Sequence, residues 1–296
     1  MRVLITGAGG LIGHILLSSS SLFPDDEVIG ADIVEIDGGM RLDVTDAAAC
    51  ADALKGVDRV IHLAGLLSVA QAIKDPGLYF SVNYSGTLNI LDAMVKNKVG
   101  RIVFASSQAI YGNKKGEKED AIADGDMTPV TAYGASKWMA EQAIRAYAET
   151  FGFSYAMLRP SHVFGGGQEK GIIPLLRGKV EEALAADGVV AIGNDVTRDF
   201  LHVRDLATAF ALSANEKGNL VLNVGSGKEH SLSDTISLIA EAMGKKVSVR
   251  TDDALCRDET LERFGELAEI TRIKELGWEP KVDIVAWLAK HIKKAN

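Results

Sequence analysis

The feature that most constrains the fold lies near the amino terminus, where a short apolar strand runs into a glycine-rich turn. Residues 2–5 have strand character, and an apolar segment with helical spacing follows over 11–17. Between them Gly7, Gly10 and Gly13 are spaced three residues apart. The first glycine suits a tight turn, the second lets a ligand approach the backbone, and the third lets the new helix pack closely on the strand. The segment therefore predicts a strand–turn–helix unit with the positive end of a helix at the turn.

A second predicted strand makes this unit more specific. Residues 27–31 form an apolar stretch that ends on Asp32, at the spacing expected of a carboxylate that binds an adenosine ribose. An ordinary strand–turn–helix is the alternative explanation of the glycines alone. The strand, turn, helix and acidic residue together favour a dinucleotide site, with the pyrophosphate held by helix N-terminal amides.

Composition limits the class of protein. The chain has 296 residues, 47% of them hydrophobic, which is enough for one large α/β domain with a smaller annex, or for two domains. Its net charge is −8 and its basic residues are scattered, which argues against nucleic acid as the main ligand. Cys50 and Cys256 are the two cysteines, and they suggest neither a disulfide framework nor a metal site.

The start of the sequence and its hydropathy pattern predict where the protein is located in the cell. No apolar run approaches the ~20 residues that span a bilayer. Since the first predicted strand begins at residue 2, we expect no signal peptide. We therefore expect a soluble, cytoplasmic protein.

Strands and helices alternate along the first half of the chain. Strands are predicted at 41–44, 58–65, 101–105 and 154–158, and helices from 45 through 54, over 77–97 and over 132–151. This alternation predicts an α/β fold of the Rossmann type, a doubly wound parallel sheet with right-handed crossovers. Ligands of such sheets bind beyond the carboxyl ends of the strands. The polar segment 112–130 is either a functional loop or a surface excursion.

The second half has a different rhythm and predicts a smaller C-terminal α/β domain. Helices are predicted at 172–184 and 231–243, strands at 189–192, 220–224 and 247–250, and two further helices close the chain. We assign 1–160, with interleaved strand and helix segments of about 194–225, to the cofactor-binding domain. We assign 161–193 and 226–296 to the substrate-binding domain.

A tyrosine and a lysine form the clearest catalytic candidate. Tyr133 and Lys137 lie four residues apart, so that they share one face of the predicted helix. A nearby ammonium favours the phenolate and lowers the pKa of the tyrosine, which makes it a usable general base. Tyr111 and Lys115 repeat the spacing, but they lie in a loop where nothing places them on one face. We therefore favour the first pair.

Ser107 is the third candidate, because it follows the predicted strand 101–105 at the edge where ligands bind. Its hydroxyl would hydrogen-bond to the same substrate oxygen from which the tyrosine removes a proton. The alternative is a strand-end serine that satisfies its own turn.

Further motifs follow in order along the chain. Together with the first three they are Gly7-x-x-Gly10-x-x-Gly13, Ser106-Ser107-x-x-x-Tyr111-Gly112, Tyr133-x-x-x-Lys137, Arg159-Pro160-x-x-Val163-Phe164-Gly165, Arg198-Asp199-Phe200-Leu201-His202-Val203-x-Asp205, Asn223-Val224-Gly225-Ser226-Gly227 and Leu276-Gly277-Trp278-Glu279-Pro280. This set resembles the extended short-chain dehydrogenase/reductase family, and more narrowly its NAD-dependent epimerase/dehydratase branch, which acts on nucleotide sugars. The resemblance covers essentially the whole chain. It is much more specific for the family than for the substrate.

The resemblance implies NAD as the cofactor and a role for each matching residue. The implied cofactor contacts are Gly7, Gly10, Leu11, Ile12, Gly13, Asp32, Asp43, Val44, Leu63, Ala64, Gly65, Asn83, Tyr133 and Lys137. The implied catalytic residues are Ser107, Tyr133 and Lys137. The implied substrate contacts are Ser68, Ser107, His162, Arg198 and Arg257.

Two of these implications have alternatives. Arg198 would bind the diphosphate of a sugar nucleotide, as a guanidinium pairs with phosphate oxygens, or it is a surface arginine paired with Asp199 or Asp195. The resemblance also implies a homodimer formed through the helices at 77–97 and 132–151. The apolar stripes of these helices could equally face the sheet.

The sequence departs from the family pattern in three ways. His162 stands where many nucleotide-sugar members have asparagine, and it either donates one hydrogen bond or is simply packed. Gln108 and Ala109 replace the acids that dehydratases carry after the catalytic hydroxyl. The family's Arg-Pro-Gly-Asp stretch is not recognisable, and Arg257 is its candidate replacement.

The leading functional prediction is an NAD-dependent nucleotide-sugar epimerase of the UDP-glucose/galactose type, working through a 4-keto intermediate. A sugar or uronate dehydrogenase of the same family is the alternative, which His162 keeps open. A non-catalytic dinucleotide sensor is disfavoured, because such proteins typically lack the tyrosine–lysine pair. Asp32, with no arginine before Arg41, predicts a preference for NAD over NADP.

Overall fold

The computed structural model describes residues 1–112, 127–167, 171–256 and 267–292. The strands are β1 (Arg2–Thr6), β2 (Glu27–Asp32), β3 (Met40–Arg41), β4 (Arg59–His62), β5 (Arg101–Ala105), β6 (Ser154–Pro160), β7 (His162–Phe164), β8 (Val189–Ile192), β9 (Thr197–His202), β10 (Leu220–Val224), β11 (Glu229–Ser231) and β12 (Ser248–Thr251). The α-helices are α1 (Leu11–Ser18), α2 (Ala47–Ala53), α3 (Val69–Lys74), α4 (Pro76–Tyr79), α5 (Gly86–Asn97), α6 (Ala132–Phe151), α7 (Ile172–Leu184), α8 (Val203–Asn215), α9 (Leu232–Ala242), α10 (Thr271–Glu275) and α11 (Ile284–His291).

The main sheet has seven strands in the order β10-β6-β5-β4-β1-β2-β3. The pairings of β1 with β2 and β4, of β2 with β3, and of β5 with β4 and β6 are all parallel. The predicted doubly wound parallel sheet is therefore confirmed. Strand order reverses between β1 and its two neighbours, and such a switch point opens a crevice at the carboxyl ends of the strands.

Helices cover the sheet and explain why its strands are apolar throughout. Val3, Leu4 and Ile5 of β1 are fully buried, as expected of a parallel strand covered on both faces. Apolar residues of α5 and α6, among them Ile90 and Ile144, belong to the same core cluster as the strands. The apolar stripes of these two helices thus face the sheet, which was the alternative to the dimer contact.

The helix predicted at 77–97 is observed with an interruption. After α4 the chain makes a π-helical turn over Phe80–Ser85 and then continues as α5. The polar side chain of Asn83, which is completely buried, lies in this turn. Such π-helical turns are frequent at functional sites.

The described chain divides into two compact units. The first comprises Met1–Gly112, Asp124–Arg159 and Leu206–Leu222, and the second chiefly Pro160–Asp205 and Asn223–Asn296. Within the second, β9 pairs with β7 and β11, β8 pairs with β12, and α7, α9 and α11 supply an apolar core. The assignment of cofactor and substrate domains stays a prediction.

Some short elements escaped sequence reasoning. The strands β7 and β11 have three residues each, and α3 has six, too few to show a period. None of the described helices has both the length and the apolar character needed to cross a membrane.

A buried histidine joins three elements of the first unit. The Thr87 hydroxyl donates to the Asn83 carbonyl (2.7 Å), so it can only accept from Nε2 of His62 (3.1 Å). Nδ1 of His62 then accepts from the Thr6 hydroxyl (2.7 Å), whose oxygen accepts from the Ala64 amide (3.3 Å). These donor and acceptor roles fix the neutral Nε2–H tautomer. Burial, and secondarily Lys137, lower the pKa of His62 to about 3.

This histidine should make the protein acid-sensitive. Its folded pKa of about 3 lies below the usual 6.5, so the unfolded chain binds the extra proton between these values and stability falls as pH falls through that window. From His62 alone we expect a loss of about 2 kcal/mol between about pH 7.5 and about pH 5. Chemical denaturation at both pH values, with His62→Gln as the comparison, measures this. An equal acid loss in the variant would contradict it.

Candidate active site

The predicted site residues of the first unit follow the carboxyl ends of neighbouring strands. Thr6 pairs in register with Ala31 of β2 and with His62 of β4, and His62 pairs with Phe104 of β5. The residues that come next along each strand are the glycine turn, Asp32, the segment 63–65 and the segment 105–107. One edge of the sheet therefore brings these groups together.

The glycine turn has the geometry that a dinucleotide needs. Gly7 has φ +71°, and a Cβ there would lie 2.6 Å from the Ala64 amide nitrogen. A Cβ at Gly13 would lie 2.5 Å from Cα of Ala8, so α1 packs on the turn only with glycine. Among the described residues, a Cβ at Gly10 would meet only the Gly7 carbonyl oxygen within 4 Å, at 3.2 Å. The backbone is thus open to a ligand at the second glycine of the set.

The start of α1 adds an anion-binding terminus. Its cap residue Gly10 provides no side-chain hydrogen bond, so no side chain competes for the amides of the first turn, which includes Leu11 and Ile12. Helix N-terminal amides and the positive end of the helix dipole suit a pyrophosphate. The residues present therefore fit a dinucleotide.

The Asp32 carboxylate is fixed against this turn. Its Oδ2 accepts from the Gly9 amide (2.9 Å) and its Oδ1 from the Val34 amide (3.1 Å). A carboxylate oxygen has two lone pairs, so each retains capacity for a ribose hydroxyl. The geometry fits the ribose contact that the sequence predicts.

Asp43 and Val44, which the family resemblance implies as cofactor contacts, lie beyond β3. The Asp43 carboxylate caps the following turn through Thr45, and the backbone hydrogen bond from Thr45 is the main cause that lowers the pKa of Asp43. Val44 is buried in the core of the unit, where a Cβ on Gly86 would meet its side chain at 2.8 Å. Any ligand contact by Val44 must therefore use its backbone.

Asn83 holds the segment after β4, which comprises Leu63, Ala64, Gly65 and Leu66. Its Oδ1 accepts from the Leu66 amide (2.7 Å), and its Nδ2 donates to the Leu66 carbonyl (3.0 Å) and to the Ser136 hydroxyl (3.1 Å). A Cβ on Gly65 would lie 2.9 Å from Asn83 Oδ1 and 3.2 Å from Lys137 Nζ. Asn83 thus ties this segment to α6 from behind, and only glycine fits between them.

The three predicted catalytic side chains come together in the first unit. Tyr133 and Lys137 lie on the first turns of α6, which Thr131 caps. Tyr133 hydrogen-bonds to the side chain of Ser107. Nζ of Lys137 donates to the Ala105 carbonyl (2.8 Å) and lies 4.9 Å from the centre of the Phe104 ring. The phenol and the Ser107 hydroxyl are thus in contact, and the ammonium is bound two residues before Ser107.

The pKa of Tyr133 does not follow the simple expectation. Burial raises it, and the hydrogen bond from Ser107 opposes that rise. Burial also lowers the pKa of Lys137 to about 8, against the attraction of Glu141. The expectation that the pKa of this tyrosine is lowered is therefore wrong, because the cost of burying a phenolate is the largest effect on it.

The second tyrosine–lysine pair with the same spacing is Tyr111 and Lys115. Tyr111 is buried, and its hydroxyl accepts from Nη1 of Arg159 (2.9 Å). Lys115 lies outside the described residues. Because the Tyr111 hydroxyl is bonded in the interior, the geometry favours Tyr133 as the base.

Tyr79 is a neighbour of the site that sequence reasoning missed. Its ring meets that of Tyr133 edge to face, with centroids 6.4 Å apart, and its hydroxyl donates to the carbonyl of Ser68 (2.6 Å). The predicted substrate residue Ser68 also caps α3 through Gln71. Only an apolar helix position signalled Tyr79 in the sequence.

The remaining predicted substrate residues are in the second unit or undescribed. His162 lies on β7, where its ring contacts Phe200 edge to face. Arg198 lies on β9, is 7% exposed, and donates from Nη1 to the Thr197 carbonyl (2.8 Å). It is therefore not a surface arginine. Arg257 lies outside the described residues.

Asp199, next to Arg198, organises the second unit in a way the sequence did not reveal. Its buried carboxylate accepts from the Ser226 amide and hydroxyl (both 2.7 Å) and from the Gly227 amide (2.9 Å). Ser161 and Ala268 donate to it as well. The residue anchors the Asn-Val-Gly-Ser-Gly loop, although burial still raises its pKa.

A comparison with protein families identifies the family of this chain. The model of the NAD dependent epimerase/dehydratase family matches residues 3–225. The chain belongs to this family. This match confirms the family resemblance that the motifs indicated. The fold that the resemblance implied, a doubly wound parallel sheet, is confirmed with it.

Similar proteins match most or nearly all of this chain. UDP-glucose 4-epimerase of Corynebacterium glutamicum is 29% identical over 310 residues, which cover 95% of this chain and 91% of the relative. GDP-6-deoxy-D-mannose reductase of Pseudomonas aeruginosa is 30% identical over 235 residues, 77% of this chain and 76% of the relative. The solved UDP-glucose 4-epimerase of Thermus thermophilus, a complex with NAD, has a TM-score of 0.84 at 27% identity and covers 99% of this chain and 98% of its own.

The fixed Asp32 carboxylate predicts the choice of cofactor. We expect NAD to bind much more tightly than NADP, because a 2′-phosphate would face this carboxylate. Asp32→Ser should weaken NAD binding about tenfold to a hundredfold, the value of a hydrogen bond to a charged group, and should reduce the discrimination against NADP. Calorimetric titration measures both constants.

The matched control is Asp25→Ser, since Asp25 is an exposed acid before the amino end of β2, away from the glycine turn. It should bind both cofactors as the unmodified protein does. Equal affinity of the unmodified protein for NAD and NADP would contradict the assignment of Asp32.

Proposed function

We propose that this protein is an NAD-dependent nucleotide-sugar epimerase that interconverts UDP-sugars of the glucose/galactose type at C4 through a transient 4-keto sugar. The observation that carries the proposal is the hydrogen bond between Ser107 and Tyr133, with Lys137 bound to the carbonyl of Ala105 two residues before Ser107. The family and the named activities of the relatives that span the chain support it.

The cofactor would be held by residues already described. Gly7, Gly10 and Gly13, with the first amides of α1, suit the pyrophosphate, and Asp32 suits the adenosine ribose. Lys137 is assigned to the nicotinamide ribose. When bound, NAD supplies a hydride acceptor that can return what it takes.

Tyr133 moves the proton. Its Oη takes the proton of the reacting sugar hydroxyl and returns it at the end of the reaction. Ser107 hydrogen-bonds to this phenol, which opposes the effect of burial on its pKa. The buried ammonium of Lys137 favours the phenolate by its charge. Gln108 and Ala109 provide no acid that would divert the keto sugar into loss of water.

Substrate recognition is assigned to Arg198, His162, Ser68 and Arg257. The planar guanidinium of Arg198 can bind two phosphate oxygens at once, which suits the diphosphate of a UDP-sugar. We also propose a cytoplasmic homodimer. Met139 of α6 supports the dimer, because it remains 39% exposed on the side of the helix opposite the buried Lys137 and Ile144.

A net oxidoreductase is the second candidate. It is favoured by the 30% identical reductase and by His162 at a position where the nucleotide-sugar pattern has asparagine. The two candidates differ in what happens to the hydride, since an epimerase returns it and a dehydrogenase releases it with the cofactor.

The experiment that separates them follows cofactor and sugar together. The protein is incubated with excess NAD and UDP-glucose or UDP-galactose, while NADH absorbance is recorded and the sugars are resolved by chromatography. We expect the other epimer to form without net NADH. NADH accumulating in proportion to an oxidised sugar, with no epimer, would establish the dehydrogenase instead.

The base assignment is tested by two tyrosine variants. Tyr133→Phe removes only the ionisable oxygen, so kcat/KM should fall ~10²–10⁴-fold while the NAD affinity changes little. Tyr111→Phe should cost far less, because the Tyr111 hydroxyl is bonded to Arg159 in the interior. If the two losses were reversed, Tyr111 would be the base.

A further inference from the structure

A buried charged cluster lies directly behind the candidate catalytic residues. The Glu141 side chain is completely buried, and those of Ser106 and Arg159 are nearly so. Oε1 of Glu141 accepts from the Ser106 hydroxyl (2.5 Å) and from Nε of Arg159 (3.0 Å), and Oε2 accepts from Nη2 of Arg159 (2.6 Å). The carboxylate therefore has a two-pronged ion pair and one neutral donor.

Helix α6 forms hydrogen bonds to two successive residues at the carboxyl end of β5. Nζ of Lys137 binds the carbonyl of Ala105 (2.8 Å), and Glu141, one turn later on the same face, binds the hydroxyl of Ser106. Ser107 follows immediately and presents its hydroxyl to Tyr133. In an extended chain neighbouring side chains point to opposite sides, so fixing Ser106 inward directs Ser107 outward.

The charge of Glu141 also reaches Lys137. Burial lowers the pKa of this lysine to about 8, and the attraction of Glu141 is the cause that opposes it. The other ionisable groups around the two residues are His62 on β4, which is neutral, Tyr133 on α6, and Arg159 on β6. Tyr79 and Tyr111 stand behind Tyr133 and Arg159, and both are uncharged near neutral pH.

We propose that Glu141 is a positioning residue for the reaction, which sets the hydroxyl of Ser107 through Ser106 and places a carboxylate one helical turn from Lys137. The inference rests on the proposed function for its kinetic readout. A purely structural ion pair would affect unfolding alone. The position of Glu141 predicts two further effects, one on kcat and one on pH dependence, and different variants separate them.

The positioning effect is tested by Ser106→Ala. This variant removes the link between Glu141 and the segment before Ser107, and leaves the ion pair with Arg159 in place. We expect kcat to fall at least tenfold, with NAD affinity and the alkaline limb of the pH profile unchanged. Glu149→Gln is the matched control, because Glu149 is an exposed acid on the same helix, and it should behave as the unmodified enzyme.

The charge effect is tested by Glu141→Gln. Loss of the carboxylate removes the cause that raises the pKa of Lys137, so the ammonium is lost at lower pH than the present value of about 8. The alkaline limb of kcat/KM should therefore move to lower pH. Because this change leaves the Arg159 guanidinium buried without the Glu141 carboxylate, the double variant Glu141→Gln/Arg159→Met removes both charges. It should show a shift in the same direction, because Glu141 is the group that raises the pKa of Lys137.

A spectroscopic readout keeps the inference separate from the substrate assignment. The titration of Lys137 is obtained by comparing the carbon-13 magnetic resonance of lysine-labelled protein with that of its Lys137→Met derivative. Without the Glu141 carboxylate, the Lys137 ammonium should lose its proton at lower pH than the present value of about 8. If the unmodified protein interconverts no sugar nucleotide, the proposed function fails while this titration still tests Glu141.

Two results would overturn the inference. One is wild-type kcat in Ser106→Ala. The other is a folded double variant with an unmoved alkaline limb and an unmoved Lys137 titration. Reduced stability of either variant with unchanged kinetics and titration would assign Glu141 a structural role alone.

Discussion

The candidate site depends on how closely the glycine turn after β1 approaches its neighbours. A side chain at Gly7 would collide with the backbone of Ala64, and one at Gly13 with the backbone of Ala8. These contacts join the first strand, the strand beside it and the first helix at one edge of the sheet. Because parallel strands end together there, the cofactor-binding and proton-transfer groups lie beside one another without any long loop.

Burial is the second constraint, and it determines the chemistry of the proton-transfer groups. Lys137 is 1% exposed, and the removal of water lowers the pKa of its ammonium and raises the pKa of Tyr133. Fixed partners oppose these pKa shifts. They are the Ala105 carbonyl and the Glu141 carboxylate for the lysine, and the Ser107 hydroxyl for the tyrosine. Such preorganised groups stabilise charge that develops during a reaction more effectively than water does.

Much of this arrangement could be predicted from the sequence, because glycine spacing, strand ends and helical periodicity are local signals. The bounds of α6 and α7 agree with the prediction, and Tyr133 and Lys137 share a face as expected. Asp199 and Glu141 could not be assigned, since their partners lie far along the chain and single acids carry no pattern. The predicted direction of the Tyr133 pKa shift was wrong, because burial depends on the whole fold and not on the local sequence.

The proposed epimerase reaction requires that hydride leaves and returns to the same sugar carbon. A UDP-sugar carrying deuterium at C4 tests it most directly, with the product analysed by mass spectrometry and proton magnetic resonance. The account predicts an epimer that keeps the deuterium at C4, with none in the solvent or in released cofactor. Loss of the deuterium to water, or its appearance in free reduced nicotinamide, would contradict it.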